Sequence, residues 1–225
     1  LVFKNMKIEW TSNSAMVLEN GALTDPHAKD LTVTRCRINQ TNLGRFKYLK
    51  KSDPEKRGYN MYQEAITISK FDGFTVCNNH VSNSLQEGID FKFGAKNGKI
   101  HNNIIEQTRA AGLYANEGLD TKIFQNIIRH IGYYDAQDGK GLRVAAEYLT
   151  ERLKQLMPSA PANVWFKDIV KVESGGSGII IGNGDLESNG KRDFETGEVS
   201  GIEVYQNVIY GARICNISVW NYWRW

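Results

Sequence analysis

The sequence predicts an all-β chain folded as a right-handed parallel β-helix of about seven coils, with loop insertions and one short helix. Two observations predict it. The segments "FTVCNNHV" (74–81), "GKIHNNII" (98–105), "DTKIFQNII" (120–128) and "GIEVYQNVI" (201–209) share the form apolar-x-x-Asn-x-apolar, and such self-similarity marks a repeat architecture. Each copy is followed by a small residue and an alternating strand: "GIDFK" at Gly88, "GLYAN" at Gly112, "GLRVA" at Gly141 and "GIIIG" at Gly178, with "AMVLE", "AITIS" and "NISVW" as looser versions. A coil of 23 or 24 residues, the spacing from Asn79 to Asn103 to Asn126, holds two or three short strands joined by Asn or Gly bends, as a β-solenoid requires. The rival solenoid, a leucine-rich repeat, is disfavoured because its Leu-x-x-Leu-x-Leu frame is absent.

Along the chain the matched triplets are Phe3, Met6, Ile8; Val33, Cys36, Ile38; Val76, Asn79, Val81; Ile100, Asn103, Ile105; Ile123, Asn126, Ile128; a degenerate Trp165, Asp168, Val170; and Val204, Asn207, Ile209. Asn recurs at one bend because stacked amides hydrogen-bond up a column, and because left-handed backbone, expected there, costs Asn less than most residues. Four insertions break the period. Gln40–Gln63 is basic and turn-rich, and His130–Lys140 carries Tyr133 and Tyr134. Ala146–Met157 spaces Leu149, Leu153 and Leu156 as a short amphipathic helix stopped by Pro158. The fourth, "GDLESNGKRDFETGE", spaces Asp185, Glu187, Asn189, Gly190 and Asp193 as the oxygen ligands and tight turn of a calcium loop. It resembles the loops of EF-hand-like repeats, with Glu at the third place and Thr196 where the bidentate Glu would stand.

The 225 residues read as one domain, 1–225. Neither end carries a polar cap, so the domain is expected to be part of a longer protein or to be covered by a partner. A net charge of +3, with 25 acidic residues interspersed among 28 basic ones, gives no basic footprint for a nucleic acid. No apolar run reaches the roughly 18 residues of a membrane span. Cys36, Cys77 and Cys215 lie too far apart for metal-ligand spacing.

The recurring Asn and Gly-Ile positions resemble the pectate-lyase-like superfamily of parallel β-helix proteins. That resemblance implies a carbohydrate-active protein working outside the cytoplasm, extracellular or periplasmic, on a polysaccharide or oligosaccharide. The superfamily contains lyases, glycoside hydrolases and non-catalytic adhesins, so function must come from the site.

Equivalent side chains of successive coils stack at roughly 4.8 Å, so the alignment maps the outward columns. The first reads Val17, Thr67, Asp90, Tyr114, Arg143, Ile180, Ser218, and the second Glu19, Ser69, Lys92, Asn116, Ala145, Gly182, Trp220. The middle coils gather Asp90, Lys92, Tyr114, Asn116 and Arg143 on one solvent-facing surface, with Glu117 and Glu147 at its margin. Lyase cleavage of a uronate needs a neutralising cation, a base for the C5 proton and a donor for the leaving oxygen. Arg143 or calcium, Lys92 and Tyr114 are the candidates for those three roles. Glycoside hydrolysis needs two carboxylates, from Asp90 with Glu117 or Glu117 with Glu147. In either case Asn116, Tyr114, Tyr133, Tyr134 and Trp220 are candidate sugar contacts. The third alternative is a glycan-binding β-helix without catalysis.

Overall fold

The computed structural model describes residues 1–11, 13–19, 26–42, 64–84, 86–132, 176–183 and 199–221, with 183, 220 and 221 described by backbone alone. The predicted right-handed parallel β-helix is present, with six coils of three strands among these residues. The first coil contains β1 (Val2–Lys4), β2 (Lys7–Glu9) and β3 (Met16–Glu19), and the second β4 (Ala28–Thr34), β5 (Arg37–Thr41) and β6 (Ile66–Ser69). The third has β7 (Phe71–Cys77), β8 (His80–Ser84) and β9 (Ile89–Lys92), and the fourth β10 (Lys96–His101), β11 (Ile104–Glu106) and β12 (Ala111–Asn116). The fifth has β13 (Lys122–Phe124), β14 (Ile127–Arg129) and β15 (Ser177–Asn183), and the sixth β16 (Glu203–Tyr205), β17 (Val208–Tyr210) and β18 (Cys215–Asn221). Equivalent strands stack into three six-stranded sheets, each parallel throughout.

The register follows the repeat. Phe3 pairs with Val33 and Ile8 with Ile38, so the degenerate first triplets are true coils. Val33, Val76, Ile100 and Ile123 form one fully buried column, and Ile38, Val81, Ile105 and Ile128 another. On the third sheet Ile66, Ile89, Leu113 and Ile179 do the same. Before each of these strands the coils nearly touch: a Cβ added at Gly88 would lie 2.6 Å from the Gly112 carbonyl oxygen, and one at Gly112 2.7 Å from that of Gly178. That approach is why the repeat demands a small residue there.

Tyr114 pairs directly with Ile180, and Asn126 receives its ladder partner from Asn207. Among the described residues no rung lies between them, where "GLRVA" and the Trp165, Asp168, Val170 triplet are expected on sequence grounds to supply one; those two segments lie outside the described residues. β14 and β15 belong to the same coil, and the described residues supply six coils, close to the seven expected. The proposed helix, Ala146–Met157, lies outside the described residues. One correction concerns the bends. Left-handed backbone falls on the residue before each ladder asparagine, at Asn78, Asn102, Gln125 and Gln206, with φ of 57°, 55°, 54° and 54°.

The ladder asparagines themselves are held by their amides. Asn103 Oδ1 accepts from the Asn79 backbone N–H at 3.0 Å and from Asn79 Nδ2 at 3.0 Å. Asn103 Nδ2 donates to Val76 O at 2.8 Å and to Asn126 Oδ1 at 3.0 Å. The pattern continues to Asn207 and begins at Cys36, whose N–H donates to Asn79 Oδ1 at 2.9 Å. Asn103→Ala is therefore expected to cost about 2–4 kcal/mol, because each buried group left unpaired costs ~1–3 kcal/mol. Asn207→Ala, at the half-buried end of the column, should cost less; urea denaturation midpoints of the two variants measure the difference.

Candidate functional site

Strand β9 places Ile89 and Phe91 inward and turns Asp90 and Lys92 outward, as alternation requires. The register sets Tyr114 beside Asp90 and Asn116 beside Lys92 on the next rung, with Thr67 and Ser69 on the rung before. The columns therefore hold as expected up to Tyr114 and Asn116, and then pass straight to Ile180 and Gly182. Arg143, Glu147, Tyr133, Tyr134 and the calcium loop with Asp185, Glu187, Asn189 and Asp193 lie outside the described residues, as does the Trp220 side chain.

The expected solvent-facing surface is not one. Asp90 is 1% exposed, Lys92 2%, Asn116 2% and Glu117 4%, whereas Tyr114 is half-buried. Buried charges need partners, and a residue that the sequence reading passed over supplies one. Lys92 Nζ lies 2.8 Å from Glu64 Oε1 and 2.8 Å from Asp90 Oδ2. Glu64 Oε2 in turn accepts from Thr67 Oγ1 at 2.6 Å, and the Phe93 ring centroid stands 5.5 Å from Lys92 Nζ. Glu64 was recognisable: "EAI" at 64–66 repeats "EGI" at 87–89, so one glutamate precedes the strand in both coils.

The triad has two carboxyls and one ammonium. Burial drives the Asp90 carboxyl well above its ordinary value; Lys92 opposes this, while Glu64 and Glu87 reinforce it. Burial also acts to raise Glu64, but the Lys92 charge and hydrogen bond outweigh it, and Glu64 falls below its ordinary value. Burial alone would lower Lys92; Asp90 and Glu64 overcome it and hold the ammonium above its ordinary range. The arrangement is thus Lys92 ammonium paired with Glu64 carboxylate, beside an Asp90 that retains its proton far more readily than a solvated carboxyl. Asp90 Oδ1 is buried with no hydrogen-bond partner among the described residues.

A second charged group lies on the middle sheet. His80 Nε2 meets Glu106 Oε1 at 2.7 Å, Arg129 Nε meets Glu106 Oε2 at 2.7 Å, and Arg129 donates to the Tyr210 hydroxyl at 3.2 Å. It is more exposed than the triad, and surface pairs of this kind contribute little to stability. Among the described residues no cluster of His, Cys, Asp or Glu has the geometry to hold a metal ion.

Two outcomes follow from the triad. Lys92→Met should destabilise the fold by about 3–5 kcal/mol, because it strands two buried carboxyls without their cation; chemical denaturation measures this. The pH dependence has opposite signs for the two acids. The raised Asp90 contributes stability fully below its ordinary value of 3.8 and loses it as pH rises toward the raised folded value. The lowered Glu64 contributes above 4.5 and loses its share as pH falls through its folded value. Asp90→Asn removes the first component, so its stability should fall less than that of the wild type between pH 4 and neutrality; a denaturation series across that range measures it.

Comparison with curated proteins gives no match. Among solved structures, the chain is similar to a crystal structure of a point mutant of the periplasmic alginate epimerase AlgG, with a TM-score of 0.50 and 10% sequence identity. The match covers 92% of this chain and 39% of that one, so the present chain spans well under half of its neighbour's length. At that identity the likeness speaks for the fold. The family model described as "Right handed beta helix region" matches residues 1–146, and together with the six stacked coils this makes the chain a member of the right-handed β-helix family.

Proposed function

We propose that the chain acts on a polysaccharide containing uronic acids, by moving the sugar C5 proton at the outward row of the third sheet. The observation that carries this reading is the buried triad: Lys92 as ammonium between two carboxyls, with Asp90 raised and its Oδ1 without a hydrogen-bond partner among the described residues. A proton next to a carboxylate is acidified when the carboxylate is neutralised, and a carboxyl titrating nearer neutrality is matched to exchange such a proton. Lys92 is held as an ammonium and is therefore assigned to charge balance; Asp90 takes the base role expected of Lys92 on sequence grounds. Proton loss from C5 leaves an electron pair delocalised into the carboxylate. In β-elimination that pair forms the C4–C5 double bond and expels the C4 oxygen, which takes its proton from Tyr114, one rung from Asp90. Return of a proton to the opposite face of C5 would instead invert the centre, an epimerisation, and the structural neighbour is an alginate epimerase.

A polymer substrate supports an extracellular or periplasmic site of action, in keeping with the structural neighbour, a periplasmic alginate epimerase. A β-helix is also suited to such a substrate, because its rungs repeat along an extended chain.

The test is incubation with a panel of polyuronates in deuterated water. Solvent deuterium should appear at C5, accompanied by ultraviolet absorbance of unsaturated ends if elimination follows. Absence of both across the panel overturns the reading. Asp90→Asn should lower the exchange rate by about 10²–10⁴-fold while retaining cooperative unfolding. Exchange should increase as pH rises through the raised range in which Asp90 ionises, well above the ordinary carboxyl range; a flat pH profile would remove Asp90 from the reaction.

A further inference from the structure

The bends that follow the third-sheet strands carry three large left-handed residues in a column, Lys70, Phe93 and Glu117, with φ of 59°, 53° and 59°. Left-handed backbone at bulky residues is strained and persists only where the surroundings over-determine it. The column borders the outward row, since Phe93 lies against the head of Lys92. Lys70 is 1% exposed, yet its Nζ has no hydrogen-bond partner among the described residues. Ser69 Oγ, on the outward row beside it, is also buried and unpartnered. Asp90 Oδ1 is a third such atom, on the next rung and diagonal to Ser69.

These atoms have related chemistry. An ammonium and a hydroxyl both donate. The nearby carboxylate of Glu64 is already engaged by Lys92 and Thr67. A buried cation without a counter-charge is unfavourable, and adjacent donors lacking acceptors are complementary to an oxyanion.

We infer that Ser69 and Lys70 form a carboxylate-binding subsite, with the Lys70 ammonium supplying the counter-charge and Ser69 Oγ donating to the bound oxygens. Identifying that carboxylate as the uronate's own rests on the function proposed above. Neutralising it at Lys70 would acidify the C5 proton beside Asp90, a role that the sequence reading had given to Arg143 or calcium.

The experiment titrates the thermal midpoint with sodium acetate, sodium glucuronate and glucose at fixed ionic strength. The wild type should show a saturable rise with both carboxylates and none with glucose. Lys70→Met should weaken the apparent affinity by at least about tenfold, and Lys70→Arg should retain it. If Lys70→Met does not fold, Ser69→Ala serves in its place, with a loss of about threefold or more expected. No saturable response in the wild type, or an equal response in the variants, overturns the subsite. Carboxylate binding that depends on Lys70, without C5 exchange on any polyuronate, keeps the subsite and discards the uronate reaction. Exchange that is undiminished in Lys70→Met, with no carboxylate response, does the reverse.

Discussion

In-register parallel stacking governs this molecule. Each strand's backbone bonds go to the equivalent strands of the coils above and below, so every side chain meets its counterparts at roughly 4.8 Å. Only residues that tolerate their own kind can fill such columns. Branched aliphatics do so by packing, as in Ile100 on Ile123 and Ile105 on Ile128. Asparagine does so because its amide is both donor and acceptor, which lets Asn79, Asn103, Asn126 and Asn207 form a continuous buried chain.

The buried charges of the third sheet obey the same constraint by avoiding their own columns. Asp90 has Thr67 and Tyr114 as rung neighbours, and Lys92 has Ser69 and Asn116. On this row no like charges are stacked, and the two opposite charges meet along one strand instead. Burial then changes what the meeting does. In the triad, two carboxyls compete for one ammonium in a desolvated setting, and the proton retained on Asp90 evens the charge. The His80, Glu106 and Arg129 group contains the same kinds of residue, but near water its geometry carries much less energy.

Legibility varied with the range of the interaction that carried each feature. The strands, the inward columns and the pairing of Asp90 with Tyr114 and Lys92 with Asn116 followed from local periodicity, because period and register are properties of adjacent coils. "GLRVA" imitates a rung in the sequence, and only the direct pairing of Tyr114 with Ile180 reveals that the described columns pass from β12 straight to β15. Glu64 was overlooked although its "EAI" repeats "EGI". Lys70 had no sequence signal at all, since nothing local distinguishes a buried lysine at a bend from a solvated one.

The sequence by itself determined the solenoid, its coil length and which side chains share a column, because these depend on short-range alternation and on repetition every 23 or 24 residues. The tertiary structure decided that Asp90, Lys92 and Asn116 of the outward row are buried, that Glu64 and Asp90 share Lys92, and that Lys70 Nζ has no hydrogen-bond partner among the described residues. Burial and counter-charge depend on groups brought together from different coils, and a one-dimensional pattern contains no measure of the water excluded between them.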